Sequence, residues 1–102
     1  DRSQVVLDPG LGFAKTHEQS WELLAATARL IADLGQPLLV GSSRKRFLAQ
    51  AAEADATPVQ RDAVTAATTA PAAAAGAWAV RVHEVPAKRA AVRTASLWKE
   101  HQ

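Results

Sequence analysis

Three short apolar runs constrain this chain more than anything else in it. Each ends in a polar or charged cluster, and each leads into a stretch with helical character. Val5-Val6-Leu7 runs into Asp8. Leu38-Leu39-Val40 runs into Gly41-Ser42-Ser43-Arg44-Lys45-Arg46. The third, Ala77 to Val85, carries Arg81 and His83. Nothing polar alternates within the first two, so both read as short strands buried on each face. The order β-α-β-α-β-α implies an α/β fold with a parallel sheet and right-handed crossovers. Parallel strands place all three clusters on one rim, at the carboxyl ends where such folds build their sites.

The intervening stretches carry their own punctuation. Thr16 is an N-cap with Gln19 three residues on, the spacing of a capping box. Trp21, Leu24, Ala25, Ala28, Ile31 and Ala32 then recur at helical spacing, and Gly35 with Pro37 ends that helix. Phe47-Leu48 belong to a short helix, and residues 49–60 read as a helix tail and surface loop. A further helix is expected from Ala63 to about Ala75. Asp62 sits at its favourable N-terminal end, and Gly76 closes it. Pro71 inside it removes one backbone hydrogen bond, which costs about 3 kcal/mol or forces a kink. Pro86 suits the first turn of a last helix that carries Ala90, Ala91, Val92, Ala95, Leu97 and Trp98 towards Gln102.

Each cluster has two readings when taken alone. Pro9-Gly10 turns the chain after Asp8, whose carboxylate either satisfies local amides or faces a ligand. Arg44-Lys45-Arg46 is either a solvated basic patch or, at a strand end before a helix, an anion site. Arg81 and His83, two apart on a strand, share one face while Val80 and Val82 share the other. Side by side they form a clamp for an anion such as pyrophosphate; the alternative is a structural arginine beside a satisfied histidine. Three clusters on one rim favour the binding reading.

Composition narrows the partners. The chain has 102 residues, one domain or part of one, with 48% hydrophobic residues and few aromatics. Its formal charge of +2 is spread along the chain, which suits an anionic small molecule and offers no nucleic-acid patch. There is no cysteine, hence no disulfide or thiolate metal site. No apolar run approaches the roughly 20 residues of a membrane span, and no signal peptide is recognisable. The chain opens on Asp1, which suggests that a segment precedes it.

Four motifs, in order, carry a resemblance. They are Leu7-Asp8-Pro9-Gly10-Leu11-Gly12-Phe13-Ala14-Lys15, Leu39-Val40-Gly41-Ser42-Ser43-Arg44-Lys45-Arg46-Phe47-Leu48, Arg61-Asp62 with Thr65, and Arg81-Val82-His83-Glu84-Val85. With them the chain resembles the C-terminal part of the dihydropteroate synthase family of pterin-binding enzymes. The resemblance implies a TIM (β/α)8 barrel of which residues 1–102 supply the last three βα units, the N-terminal part lying elsewhere. It implies a transferase of folate biosynthesis, the target of sulfonamides. The reaction condenses 6-hydroxymethyl-7,8-dihydropterin pyrophosphate with 4-aminobenzoate to dihydropteroate and pyrophosphate.

The same resemblance implies residue roles. Asp8 would accept hydrogen bonds from the pterin's amino-pyrimidine edge, and Lys45 would donate to the pterin ring and border the aminobenzoate pocket. Phe13 would lie beside the aminobenzoate ring, with Ser43 and Arg44 near its far end. Arg81 and His83 would hold the departing pyrophosphate, so that Lys45, Arg81 and His83 form the catalytic set. Lys15 matches a motif without an assigned role. Magnesium (Mg2+) is expected with the diphosphate, its protein ligand in the N-terminal part and none in this chain. A cytoplasmic homodimer is implied, as is inactivity of the chain until the barrel is completed. Ala49, Glu84 and Pro71 depart from the family pattern without removing any of these residues.

Two other readings compete. A pterin-binding domain of a methyltetrahydrofolate methyltransferase would share the barrel and the pterin-binding acid. The pairing of Ser43-Arg44-Lys45 with Arg81-Val82-His83 speaks against it. A non-catalytic, partner-completing domain would be held by its exposed strand edges.

Overall fold

In a computed structural model of the chain, the residues described are 4–12, 16–53 and 55–102. Helices α1 (His17–Ala25) and α2 (Thr27–Leu34) precede strand β1 (Leu39–Val40), which leads into a 3-10 helix (Arg46–Ala51). Helix α3 (Asp62–Ala74), strand β2 (Ala79–Val80) and helix α4 (Val85–Glu100) complete the order. The strands β1 and β2 pair in parallel, with Leu39 opposite Ala79 and Val40 opposite Val80. Leu7 adds a parallel bridge on the other edge of β1, to Leu38. The Leu39 N–H donates to the Leu7 carbonyl at 2.8 Å, and the Trp78 N–H donates to the Leu38 carbonyl at 2.9 Å. The second apolar run therefore lies between the other two, and all three point the same way.

Several expectations are met locally and corrected in extent. The Thr16 capping box forms in full: the Thr16 side chain accepts from the Gln19 N–H and the Gln19 side chain accepts from the Thr16 N–H. The helix it opens was expected to run unbroken to Gly35 but divides at Ala26. The Thr27 hydroxyl donates back to the Leu24 carbonyl at 2.6 Å, and the Ala26 amide is shared between Glu22 and Leu23 carbonyls. Such back-bonding tightens and bends a helix. Gly35 ends α2 in the left-handed region, as a C-cap should. Helix α3 continues through Pro71, which lies exposed, while Val64, Thr65, Thr69 and Ala72 are buried.

Two strands are shorter than the apolar runs. Val5 and Val6 are 41% and 39% exposed, not buried, because pairing reaches the chain only at Leu7 and on one edge. The ladder between β1 and β2 closes where the Arg81 N–H donates to the Val40 carbonyl at 2.9 Å. The chain then turns into α4, so Arg81 and His83 stand beyond the strand rather than within a nine-residue one. Early exit is what gives their side chains independent directions.

The core fills the space between the sheet and its helices. Leu11, Leu38, Val40, Phe47, Leu48, Val64 and Ala72 form it, with Trp21, Leu24, Ile31 and Val80 packed around them. Trp21 meets Phe47 edge to face at 5.1 Å and donates its indole N–H to the Phe47 carbonyl. Each such aromatic pair contributes about 0.5–1.5 kcal/mol beyond the area it buries. It anchors the 3-10 helix, and through it the basic cluster, against α1.

Candidate active site

The first loop is built around its carboxylate and its glycines. Asp8 Oδ1 accepts the Gly10 N–H at 2.8 Å, so the local reading of this acid is present in the structure. Gly10 and Gly12 lie at φ +70° and +82°, a region that side chains resist. Leu11 between them is fully buried and pins the loop to the core. The Gly12 N–H donates to Ser20 Oγ at 3.0 Å, and Ser20 is itself fully buried in α1. Lys45 comes from the second loop and lies flat over Gly12. A Cβ there would stand 3.1 Å from Lys45 Cδ, and Lys45 Nζ donates to the Leu11 carbonyl. The first and second clusters are thus joined by Lys45. Phe13 and Lys15 lie outside the described residues.

The second loop is gripped by the first turn of α3. Arg44 sits at φ +58°. Its N–H donates to Thr65 Oγ1 at 3.0 Å, and its carbonyl accepts from Arg61 Nε at 2.8 Å. Its guanidinium meets Asp62 through two parallel hydrogen bonds, 2.8 and 2.9 Å. The backbone of Arg44 and its side chain are therefore all directed at Arg61, Asp62 and Thr65, and its guanidinium faces α3 rather than Asp8. The fork of two bonds holds the Asp62 carboxyl below its ordinary range, with Lys88 adding to the effect. Lys88, only 1% exposed on α4, lies 3.4 Å from Asp62 and 3.2 Å from Glu84.

The third cluster meets the other two. The Arg81 guanidinium lies across Gly41, where a Cβ would come within 2.9 Å of it, and faces Asp8 Oδ2 at 3.7 Å. Both side chains of this pair are solvated, at 59% and 34% exposure, so the attraction is weak and either partner can be given up to a ligand. His83 turns to Ser43 instead: Nδ1 lies 2.7 Å from Ser43 Oγ, which also accepts the His83 N–H at 3.1 Å. A cavity of about 330 Å³ opens beside this rim, between Gly12, His17, Lys45 and Phe47.

Of the residues singled out from sequence, Asp8, Ser43, Lys45, Arg81 and His83 come together on one rim. Two supporting residues, Ser20 and Lys88, escaped that reading, and the ion pairs of a third, Asp62, were not foreseen. Ser20 looks like any polar helix residue. Asp62 is more than a dipole partner. Lys88 had one legible signal, its spacing of four from Glu84. Among the described residues, no three His, Asp or Glu side chains gather to hold a metal. Of the two carboxylates near the rim, Asp62 is committed to Arg44 and Lys88, while Asp8 stays partly solvated beside Arg81.

The family model for "Pterin binding enzyme" matches residues 1–83. The dihydropteroate synthase of Mycobacterium leprae is 47% identical over 102 residues, covering 96% of this chain and 36% of the relative. Among solved structures, dihydropteroate synthase from Xanthomonas albilineans in complex with 7,8-dihydropteroate superposes with a TM-score of 0.85 at 37% identity. That match covers all of this chain and 38% of the other. The enzyme from Anaplasma phagocytophilum with bound 6-hydroxymethylpterin-monophosphate gives 0.86 at 33%, covering 96% and 37%. The chain thus spans little more than a third of the relatives it matches, and its parallel strands and flanking helices are part of a TIM barrel. With its acid-glycine loop, basic second loop and Arg-His third loop on one rim, the chain belongs to the family of pterin-binding enzymes.

Proposed function

We propose that this chain supplies one wall of a dihydropteroate synthase active site. The observation that carries the reading is the convergence of Asp8, Lys45, Ser43, Arg81 and His83 at the ends of three parallel segments. In it, the Asp8 carboxylate accepts the two N–H donors of a pterin's amino-pyrimidine edge, and Lys45 donates to the ring. Phe13 borders the 4-aminobenzoate. Arg81 swings from Asp8 to the diphosphate, at little cost because their pair is solvated. The C–O bond to pyrophosphate breaks with its electron pair leaving on the diphosphate, where Arg81 and His83 stabilise the developing charge. The arylamine lone pair then forms the C–N bond and the amine loses a proton, giving dihydropteroate. The product and the pterin monophosphate bound to the two relatives fit both ends of this reaction.

Magnesium, which the resemblance implies with the diphosphate, would be held by a ligand in the N-terminal part of the barrel, and no step above runs through it. The complete enzyme is taken to be a cytoplasmic homodimer that sulfonamides inhibit, on the strength of the resemblance. No helix among the described residues is long and apolar enough to cross a membrane. The test is to join this chain to the remaining portion of a barrel and assay the condensation. Turnover is expected, and Asp8→Ala should weaken pterin binding at least tenfold. A well-folded completed barrel with no turnover, or unchanged pterin affinity in Asp8→Ala, would sink the proposal.

A further inference from the structure

His83 can donate to a phosphoryl oxygen only if its outward nitrogen carries the proton, and the structure contains a device that decides this. Ser43 is 6% exposed, so its hydroxyl must be satisfied within the protein. It has two partners among the described residues, the His83 N–H and His83 Nδ1. The backbone N–H can only donate, so it takes a lone pair of Ser43 Oγ. That leaves the hydroxyl hydrogen with a single acceptor in reach, the lone pair of Nδ1 at 2.7 Å. If Nδ1 carried the proton instead, the buried hydroxyl hydrogen would have nowhere to go, at a cost comparable to a lost buried hydrogen bond.

We propose that Ser43 is a positioning residue for His83: its hydroxyl donates to Nδ1, holds the neutral imidazole in the Nε2–H tautomer, and leaves Nε2–H as the donor available to a phosphoryl oxygen. The two bonds to one hydroxyl also fix the ring relative to its own backbone. A serine on the loop after β1 thereby sets the donor on the loop after β2, forty residues away in sequence. The inference rests on the reading of His83 as a diphosphate contact, but its first test does not.

That test is two-bond proton–nitrogen correlation on the histidine-labelled completed barrel at about pH 8, above the ordinary imidazole range of about 6.5. Wild-type His83 is expected to show Nε2–H alone. Ser43→Ala should give a mixture of tautomers and weaken inorganic pyrophosphate binding about fivefold, the worth of one net hydrogen bond. Ser43→Thr, which keeps the hydroxyl, should restore both. An Nδ1–H tautomer in the wild type, or an unchanged tautomer in Ser43→Ala, overturns the proposal. His83→Ala separates it from the functional reading: pyrophosphate affinity unchanged in that variant, with the tautomer as expected, overturns the diphosphate role and leaves the Ser43 hydrogen bond standing.

Discussion

At the scale of single residues, two glycines show how differently a missing side chain can matter. At Gly12 an added methyl meets two objections. The backbone lies at φ +82°, and Lys45 Cδ stands 3.1 Å from the new Cβ. Gly12→Ala is therefore expected to lower stability by about 1–2 kcal/mol, the cost of a left-handed L-residue, measurable by denaturant unfolding. At Gly41 no positive φ intervenes, and the collision is with Arg81 Nη2 at 2.9 Å, the far end of a flexible and solvated side chain. Gly41→Ala should leave the unfolding midpoint nearly unchanged while pushing the guanidinium off the rim. The expected readout is weaker pyrophosphate binding, by roughly the fivefold that one displaced hydrogen-bonding group is worth. Equal affinity in the variant would show that the place of Arg81 over Gly41 does not matter to anion binding.

At the scale of elements, the second loop depends on α3 and α4 more than on its own strand. Arg44 holds its left-handed backbone because Arg61, Asp62 and Thr65 hold it there, and Asp62 is in turn shared with Lys88. Removing Asp62 strands a buried ammonium with Glu84 alone, so Asp62→Ala is expected to cost about 3 kcal/mol. Lys88→Met removes the buried charge itself and leaves Asp62 paired with Arg44. It should cost much less, within about 1–2 kcal/mol, by the same unfolding measurement. Acid gives an independent check. The folded Asp62 carboxyl binds its proton less readily than in the unfolded chain, because Arg44 hydrogen-bonds the ionised form. Its contribution is thus complete above the unfolded value near 3.8 and is lost as pH falls through the depressed folded value. Asp62→Asn should flatten the loss of stability below that pH. A wild-type acid limb in this variant would show that the pair contributes nothing.

At the scale of the whole molecule, what was legible in the sequence was what depends on local pattern. The capping box at Thr16, the stop at Gly35 and the order of strands and helices all follow from residues a few positions apart. What was not legible depends on partners far away along the chain. Val5-Val6-Leu7 has the pattern of a buried strand, yet burial needs neighbours on both edges, and only Leu7 finds one. Arg44 looks from sequence like a rim cation, and only the fold reveals that Asp62 takes it. The exposed valines therefore report on completion of the barrel. Val5 and Val6 are 41% and 39% exposed, and an apolar strand edge of this kind is a template for pairing. If a further parallel strand lies alongside, their amides gain hydrogen-bond partners and their side chains leave water. Hydrogen exchange at Val5 and Val6 should then slow by at least tenfold when the chain is joined to the rest of a barrel, while Leu7, whose N–H already donates to the Pro37 carbonyl, and the interior of α3 change little. Equal exchange at Val5 and Val6 in the joined and separate forms would mean that the first strand is not completed by a neighbour, and that Asp8 at its end faces solvent rather than the second wall of a pocket.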